Sequence, residues 1–164
     1  MESLYLQKKG DDVIFPIGIQ DFAKIREAGF VYVDKTASIY RLVTEGTVCF
    51  LSRPRRFGKS LLVSTLKYYF QGKKELFQGL AIDSLEKEWA AYPVFHLDFC
   101  GSNYTQPHTL DAVVEETIAG WESQYGKDPV YTDWGRRFAY VLKQAHLQTG
   151  RRAVVLIDEY DKPL

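Results

Sequence analysis

The stretch that most constrains the fold is Ser52-Arg53-Pro54-Arg55-Arg56-Phe57-Gly58-Lys59-Ser60, set between two apolar segments. Before it lies Val48-Cys49-Phe50-Leu51, a β-branched and aromatic run. After it, Leu61-Leu62-Val63-Ser64-Thr65-Leu66 carries apolar residues at helical spacing. Strand, tight basic loop and helix in immediate succession is the order in which a phosphate-binding loop is built.

The chemistry expected of the loop rests on Gly58, Lys59 and Ser60. A helix start offers unpaired backbone N–H groups and the positive end of the macrodipole, so a triphosphate placed there meets several aligned donors. Gly58 has no side chain to obstruct the approach. Lys59 reaches the β- and γ-phosphates as a point charge, and the Ser60 hydroxyl suits Mg²⁺. The pattern G-x-x-x-x-G-K-[ST] asks for glycine where this chain has Arg53, so the loop enters by another geometry, with Pro54 a candidate to fix it. The bland alternative is an ordinary helix start with a solvated lysine.

About a hundred residues downstream, Ala153-Val154-Val155-Leu156-Ile157 is closed by Asp158 and Glu159. A continuous Val/Ile/Leu run suits a parallel strand buried on both faces, and acids at its C-terminal end lie where ligands bind in open α/β sheets. In this Walker B arrangement Asp158 would hold the Mg²⁺ shell and Glu159 would activate water as general base. A solvated strand end is the alternative.

These segments resemble the AAA-ATPase-like family of bacterial proteins. The resemblance is carried by Pro16-Ile17-Gly18-Ile19-Gln20-Asp21-Phe22, Tyr32-Val33-Asp34-Lys35-Thr36, Phe50 to Ser60, Tyr92 to Asp98 and Leu156 to Leu164, and covers roughly residues 15–164. Arginine at position 53 is normal in that family. The resemblance implies ATP binding and ATP hydrolysis with Mg²⁺. It implies Glu159 and Lys59 as catalytic groups, Arg55, Arg56, Phe57, Gly58, Lys59, Ser60 and Leu61 around the phosphates, and Ser60 and Asp158 at the metal. It also implies that Tyr32 and Val33 lie against the adenine, although both equally suit a core. Family members often continue into a PD-(D/E)XK nuclease-like domain, which is expected to lie outside these 164 residues.

A chain of 164 residues with 46% hydrophobic and 15% aromatic content is long enough and apolar enough for one domain with a real core. Lys+Arg and Asp+Glu both number 21, so no global field attracts nucleic acid or an anionic membrane. The local cluster Arg53, Arg55, Arg56 and Lys59 is accounted for by one triphosphate. Cys49 and Cys100 have neither C-x-x-C spacing nor nearby histidines, and both are expected in apolar surroundings. No run approaches the ~18 apolar residues of a membrane span, and the N-terminus lacks the plan of a signal peptide, so a soluble cytoplasmic protein is expected. Residues 1–14 read as a polar N-terminal tail and 15–164 as the N-terminal part of the ATPase domain.

In chain order, Asp21 caps a short helix bearing Phe22, Ile25 and Ala28 and closed by Gly29, and Phe30–Val33 is a brief strand-like run. Thr36 is the expected N-cap of a helix that ends at Gly46. The helix from Lys59 to Phe70 ends at Gly72, and Ser84 to Ala91 read as a short helix stopped by Pro93. Val94–Phe99 is the next strand, with Asp98 either capping the following turn or touching water at the site. Its His96 reads as a satisfied core residue. Helices follow over about 108–124 and 133–149, with Arg136 and Arg137 on their exposed side.

The whole reads as an α/β P-loop NTPase, a doubly wound parallel sheet with helices on both faces, incomplete in this chain and missing a strand expected after residue 164. Three functions stay open. One is Mg²⁺-dependent ATP hydrolysis that drives or gates an attached or partner module. Another is a nucleotide-gated regulatory module with little turnover, and the third a nucleic-acid-binding protein using the arginine-rich loop. Oligomerisation, with an arginine finger from Arg136, Arg137, Arg151 or Arg152, is compatible with each.

Overall fold

A computed structural model describes residues 14–46, 48–52, 54 and 56–162. The chain divides into two compact units, Met1–Ala91 and Tyr92–Leu164.

The first unit is helical. In α1 (Phe22–Glu27) the Asp21 carboxylate accepts from the Lys24 N–H at 2.9 Å, the N-cap the sequence announces. At the other end the N–H groups of Gly29 and Phe30 return to the carbonyls of Arg26 and Ile25, the Schellman closure. Ile14, assigned to the tail by its sequence, is buried, and its carbonyl accepts from Val31.

The second helix, α2 (Thr36–Glu45), starts differently from expectation. Thr36 is its first helical residue and is buried, the N-cap residue Lys35 makes no side-chain cap bond, and Asp34 meets the first N–H instead. The Asp34 carboxylate accepts from the Thr36 N–H at 2.8 Å, the Thr36 hydroxyl at 2.6 Å and the Ala81 N–H at 2.7 Å. Thr36 Oγ1 then accepts from Ile82. Partial burial pushes the Asp34 carboxyl up, but the bonds from Thr36 and Ala81 outweigh it and hold the group below the usual carboxylate range. This one carboxylate thereby joins the starts of α2 and α4 (Ala81–Leu85). It also explains why the helix expected over residues 84–91 lies earlier: its first N–H groups are taken at Ala81 and Ile82. Glu86 ends it by accepting from the N–H groups of Lys87 and Glu88.

Helix α3 (Lys59–Phe70) matches its predicted limits. With α1, α2, α4 and a 3₁₀ turn at Lys74–Phe77 it encloses Phe22, Ile39, Tyr69, Phe77 and Ile82, with Trp89 against Phe77 at 5.1 Å between ring centres. Two expected strands do not form. Phe30–Val33 is extended without a sheet partner among the described residues. Val48–Leu51 is irregular, with Val48 92% and Phe50 73% exposed. A strand needs a neighbour to satisfy its ladder, and β-propensity alone supplies none.

The second unit contains the sheet. Strands β1 (Val94–Asp98) and β2 (Val154–Asp158) pair in parallel, Val94 opposite Val154 through Asp98 opposite Asp158. The connection runs through α5 (Thr109–Tyr125) and α6 (Trp134–Thr149), the latter capped by Asp133 through the Arg136 N–H. Phe95 is fully buried among Trp121, Tyr125 and Phe138. Parallel strands joined by helices establish the α/β class. Cys49 and Cys100 are both exposed, against the expectation of apolar surroundings.

Arg137, expected on the solvent side, is buried. Its Nε and Nη2 donate to the two carboxylate oxygens of Glu122 at 2.8 Å each, and Nη1 and Nη2 donate to Glu115 at 2.6 and 2.8 Å. The two glutamates are seven residues apart on α5, hence on one face, and their four oxygens match the planar guanidinium fork. Hydrogen bonds from Arg137 hold both carboxyls below the usual range. Arg136 is exposed, as expected.

Two predictions follow from this packing. Gly72 stands at φ +70, where a side chain is strained, and a Cβ there would lie 2.9 Å from the Trp89 carbonyl. Gly72→Ala should therefore lower the melting temperature measured by circular dichroism, whereas Gly79→Ala, with open space around it, should lower it less. Arg137→Met leaves the buried Glu122 with only Lys127, 3.8 Å away, so the loss falls short of the roughly 3–5 kcal/mol of a wholly unpaired buried charge. With folded carboxyl pKa values below the unfolded ones, the stabilisation is complete above the unfolded values and vanishes as pH falls through the folded ones. Tryptophan-detected melts should accordingly drop more steeply below about pH 4 in the wild type than in Arg137→Met. Equal slopes would remove the triad as the acid-labile element.

Candidate functional site

Arg56, Phe57, Gly58, Lys59, Ser60 and Leu61 lie together at the opening of α3 in the first unit, while Arg53 and Arg55 fall outside the described residues. Gly58 is the N-cap at φ 77 and ψ 21, and the ladder begins with the Leu62 N–H on the Gly58 carbonyl at 3.0 Å. The first N–H groups of such a helix have no carbonyl one turn back. A Cβ built on Gly58 meets nothing within 4 Å, so glycine here serves the left-handed backbone and leaves space in front of the helix. Arg56 also adopts a positive φ of 66. A non-glycine residue there costs of order 1 kcal/mol. The reversal that a glycine at position 53 would make in the generic pattern is thus made, among the described residues, by Arg56 and Gly58.

Beside Gly58 opens a cavity of about 550 Å³ in the same unit. Phe57, Leu61 and Leu62 line it from the loop and α3, Tyr32 and Val33 from the extended segment before α2. Burial raises the Tyr32 hydroxyl above its ordinary pKa, and Thr65 is its hydrogen-bond partner. Tyr32 and Val33 thus border an open space next to the start of α3; Tyr32 also packs on the core, with its ring 5.2 Å from Phe22, whereas Val33 is 72% exposed.

In the second unit Asp158 ends β2 and is buried, with Oδ1 accepting from the Glu159 N–H at 3.0 Å. Glu159 stands at φ 54, again a non-glycine in the left-handed region. The turn after it is closed by the Lys162 N–H on the Glu159 carbonyl, and Lys162 Nζ lies 3.9 Å from Glu159 Oε2. Asp98, opposite Asp158, accepts from the Cys100 N–H at 2.7 Å, the turn-capping alternative of its two expected roles. Lys162 Nζ is also 3.5 Å from Cys100 Sγ, a pairing not anticipated from sequence.

Among the described residues no group of three or more His, Cys, Asp or Glu side chains forms a metal cage. Mg²⁺ needs none, because it keeps several waters and takes one or two protein oxygens together with nucleotide phosphates. A hydroxyl at a helix start and a carboxylate at a strand end are oxygens of that kind.

Among the described residues no helix is long and apolar enough to cross a membrane. No solved structure matches the chain. A protein of Azotobacter chroococcum mcd 1, named "Uncharacterized protein in vnfD 5'region", is 42% identical over 151 residues, which are 91% of this chain and 29% of that relative. The chain therefore spans under a third of the curated relative's length. The family described as "Predicted AAA-ATPase" matches residues 16–164, from the segment before α1 through the acids that follow β2. With nearly its whole length matched, the chain is a member of the AAA-ATPase-like family.

Proposed function

We propose that this chain is the nucleotide-binding part of a Mg²⁺-dependent ATPase. The observation that carries the reading is the open, left-handed Gly58 at the start of α3, with Lys59 and Ser60 in the first turn and an apolar cavity alongside. The triphosphate lies on the N–H groups of that turn, with Arg56, Phe57 and Leu61 around it, and the base enters the cavity at Tyr32 and Val33. Lys59 neutralises charge on the β- and γ-phosphates. Ser60 would offer its hydroxyl to Mg²⁺, and Asp158, in the second unit, is a carboxylate of the kind that ion takes; Mg²⁺ would supply charge neutralisation for phosphoryl transfer to water. Glu159 takes the proton of that water. The two-stranded sheet is read as part of a doubly wound parallel sheet covered on both faces, and the work done by hydrolysis is read as the gating of an attached or partner module.

A second reading, a nucleotide-gated module with little turnover, is favoured by Lys162. An ammonium 3.9 Å from the Glu159 carboxylate pairs with the group that would otherwise face the attacking water.

Lys59→Ala should abolish ATP binding in calorimetric titration while leaving the circular dichroism spectrum unchanged. Retained affinity would sink the phosphate-loop assignment. Glu159→Gln in the full-length protein should keep ATP affinity within a few-fold and reduce phosphate release by roughly a hundredfold. If wild type and variant release phosphate equally slowly, the gating reading replaces the ATPase; if both are fast, the base lies elsewhere.

A further inference from the structure

The cavity beside Gly58 carries more information than its size. Lys35, Ser38, Ile39 and Leu42 line it together, at spacings of three, four and seven residues. That spacing places them on one stripe of α2 and of the residue preceding it. Lys35 is the only charged side chain among the described lining residues, and no carboxylate is among them. The adjacent Asp34 is occupied by Thr36 and Ala81, and the Tyr32 hydroxyl by Thr65. The side chains of Lys35 and Ser38 have no hydrogen-bond or ion-pair partner among the described residues. An ammonium and a hydroxyl one helical turn apart thus stand on a wall whose other side-chain hydroxyls, those of Tyr32 and Thr65, already have partners.

We propose that Lys35 and Ser38 read the polar edge of the nucleotide base, an inference that rests on the nucleotide-binding assignment above. Adenine presents one donor, its N6 amino group, beside one acceptor, N1. A serine oxygen accepts from the first and a lysine ammonium donates to the second. The pair is therefore sufficient for adenine. Guanine presents two donors, N1–H and the N2 amino group, beside the O6 acceptor. Ser38 takes one donor, Lys35 serves O6, and the remaining donor finds no carboxylate and no unoccupied hydroxyl among the described lining residues. A buried donor without an acceptor weakens binding by roughly tenfold or more. The stripe on α2 is thus a specificity element, separate from the phosphate contacts of Gly58 to Ser60.

The test titrates wild type, Lys35→Gln and Ser38→Ala with Mg-ATP, Mg-GTP and inorganic tripolyphosphate, with a thermal melt of each protein to confirm folding. Wild type should prefer ATP to GTP by about tenfold or more. Each variant should lose ATP affinity about five- to tenfold and narrow the ATP/GTP ratio, while tripolyphosphate affinity and competition stay unchanged. Loss of tripolyphosphate affinity in Lys35→Gln would make Lys35 a phosphate ligand and overturn the proposal. An unaltered ATP/GTP ratio in both variants would overturn it while leaving the nucleotide assignment standing. Absence of ATP binding to the wild type would remove the assignment, and the base-reading pair with it.

Discussion

A helix that begins at a left-handed glycine must direct its first N–H groups toward something other than its own backbone. Helix α3 is in that position, and the rest of its unit fixes the helix while keeping its start clear. Thr65 and Tyr69 are buried, Ser64 accepts from the Phe22 N–H at 2.9 Å, and Gly72 closes the far end against the Trp89 segment. At the near end Gly58 has open space and Phe57 is 62% exposed. A rigid rod with an unobstructed positive end is what anion binding asks of a scaffold, because donors fixed in advance lose little freedom when the ligand arrives.

The second unit solves a separate problem, holding two short parallel strands in register when neither is stable by itself. Its solution is a helical hairpin whose packing is partly ionic. Arg137 fills the space between α5 and α6 with four donor contacts, and Phe95 anchors β1 beneath the same helices. A buried ion triad is a costly way to gain stability, since desolvation cancels much of the attraction. Its geometry is demanding, however, and a hydrophobic contact could slide along the helices where this triad cannot. Fixing α6 in this way fixes the strand that follows it, and with it Asp158 and the strained Glu159.

Several elements were readable because the signal was local. Asp21 and Asp133 sit one residue before their helices and cap them within three residues. Gly29, Gly46, Gly72 and Gly150 follow the last helical turns, and α3 is delimited by Gly58 and Gly72. The apolar run ending in Asp158 and Glu159 is a strand with its acids at the C-terminal end, as its composition demanded. Short-range hydrogen bonds and side-chain periodicity decide such features, and both are written in neighbouring residues.

Other features depended on residues far apart in the chain. Val48–Leu51 has the composition of a strand and is not one here, because pairing is a property of two segments. Asp34, not Thr36, meets the first N–H of α2, and Ala81 and Ile82 bring their own N–H groups to the same carboxylate and hydroxyl. Arg137 looked like a surface charge until Glu115 and Glu122 were found on the facing helix, and Lys162 was unremarkable until its turn folded it onto Glu159 and Cys100. The sequence by itself determined which residues could start a helix, end a strand or receive a phosphate. The tertiary structure decided which polar groups face each other and where an apolar cavity stays open, because burial and long-range hydrogen bonding are set by chain segments that only folding brings into contact.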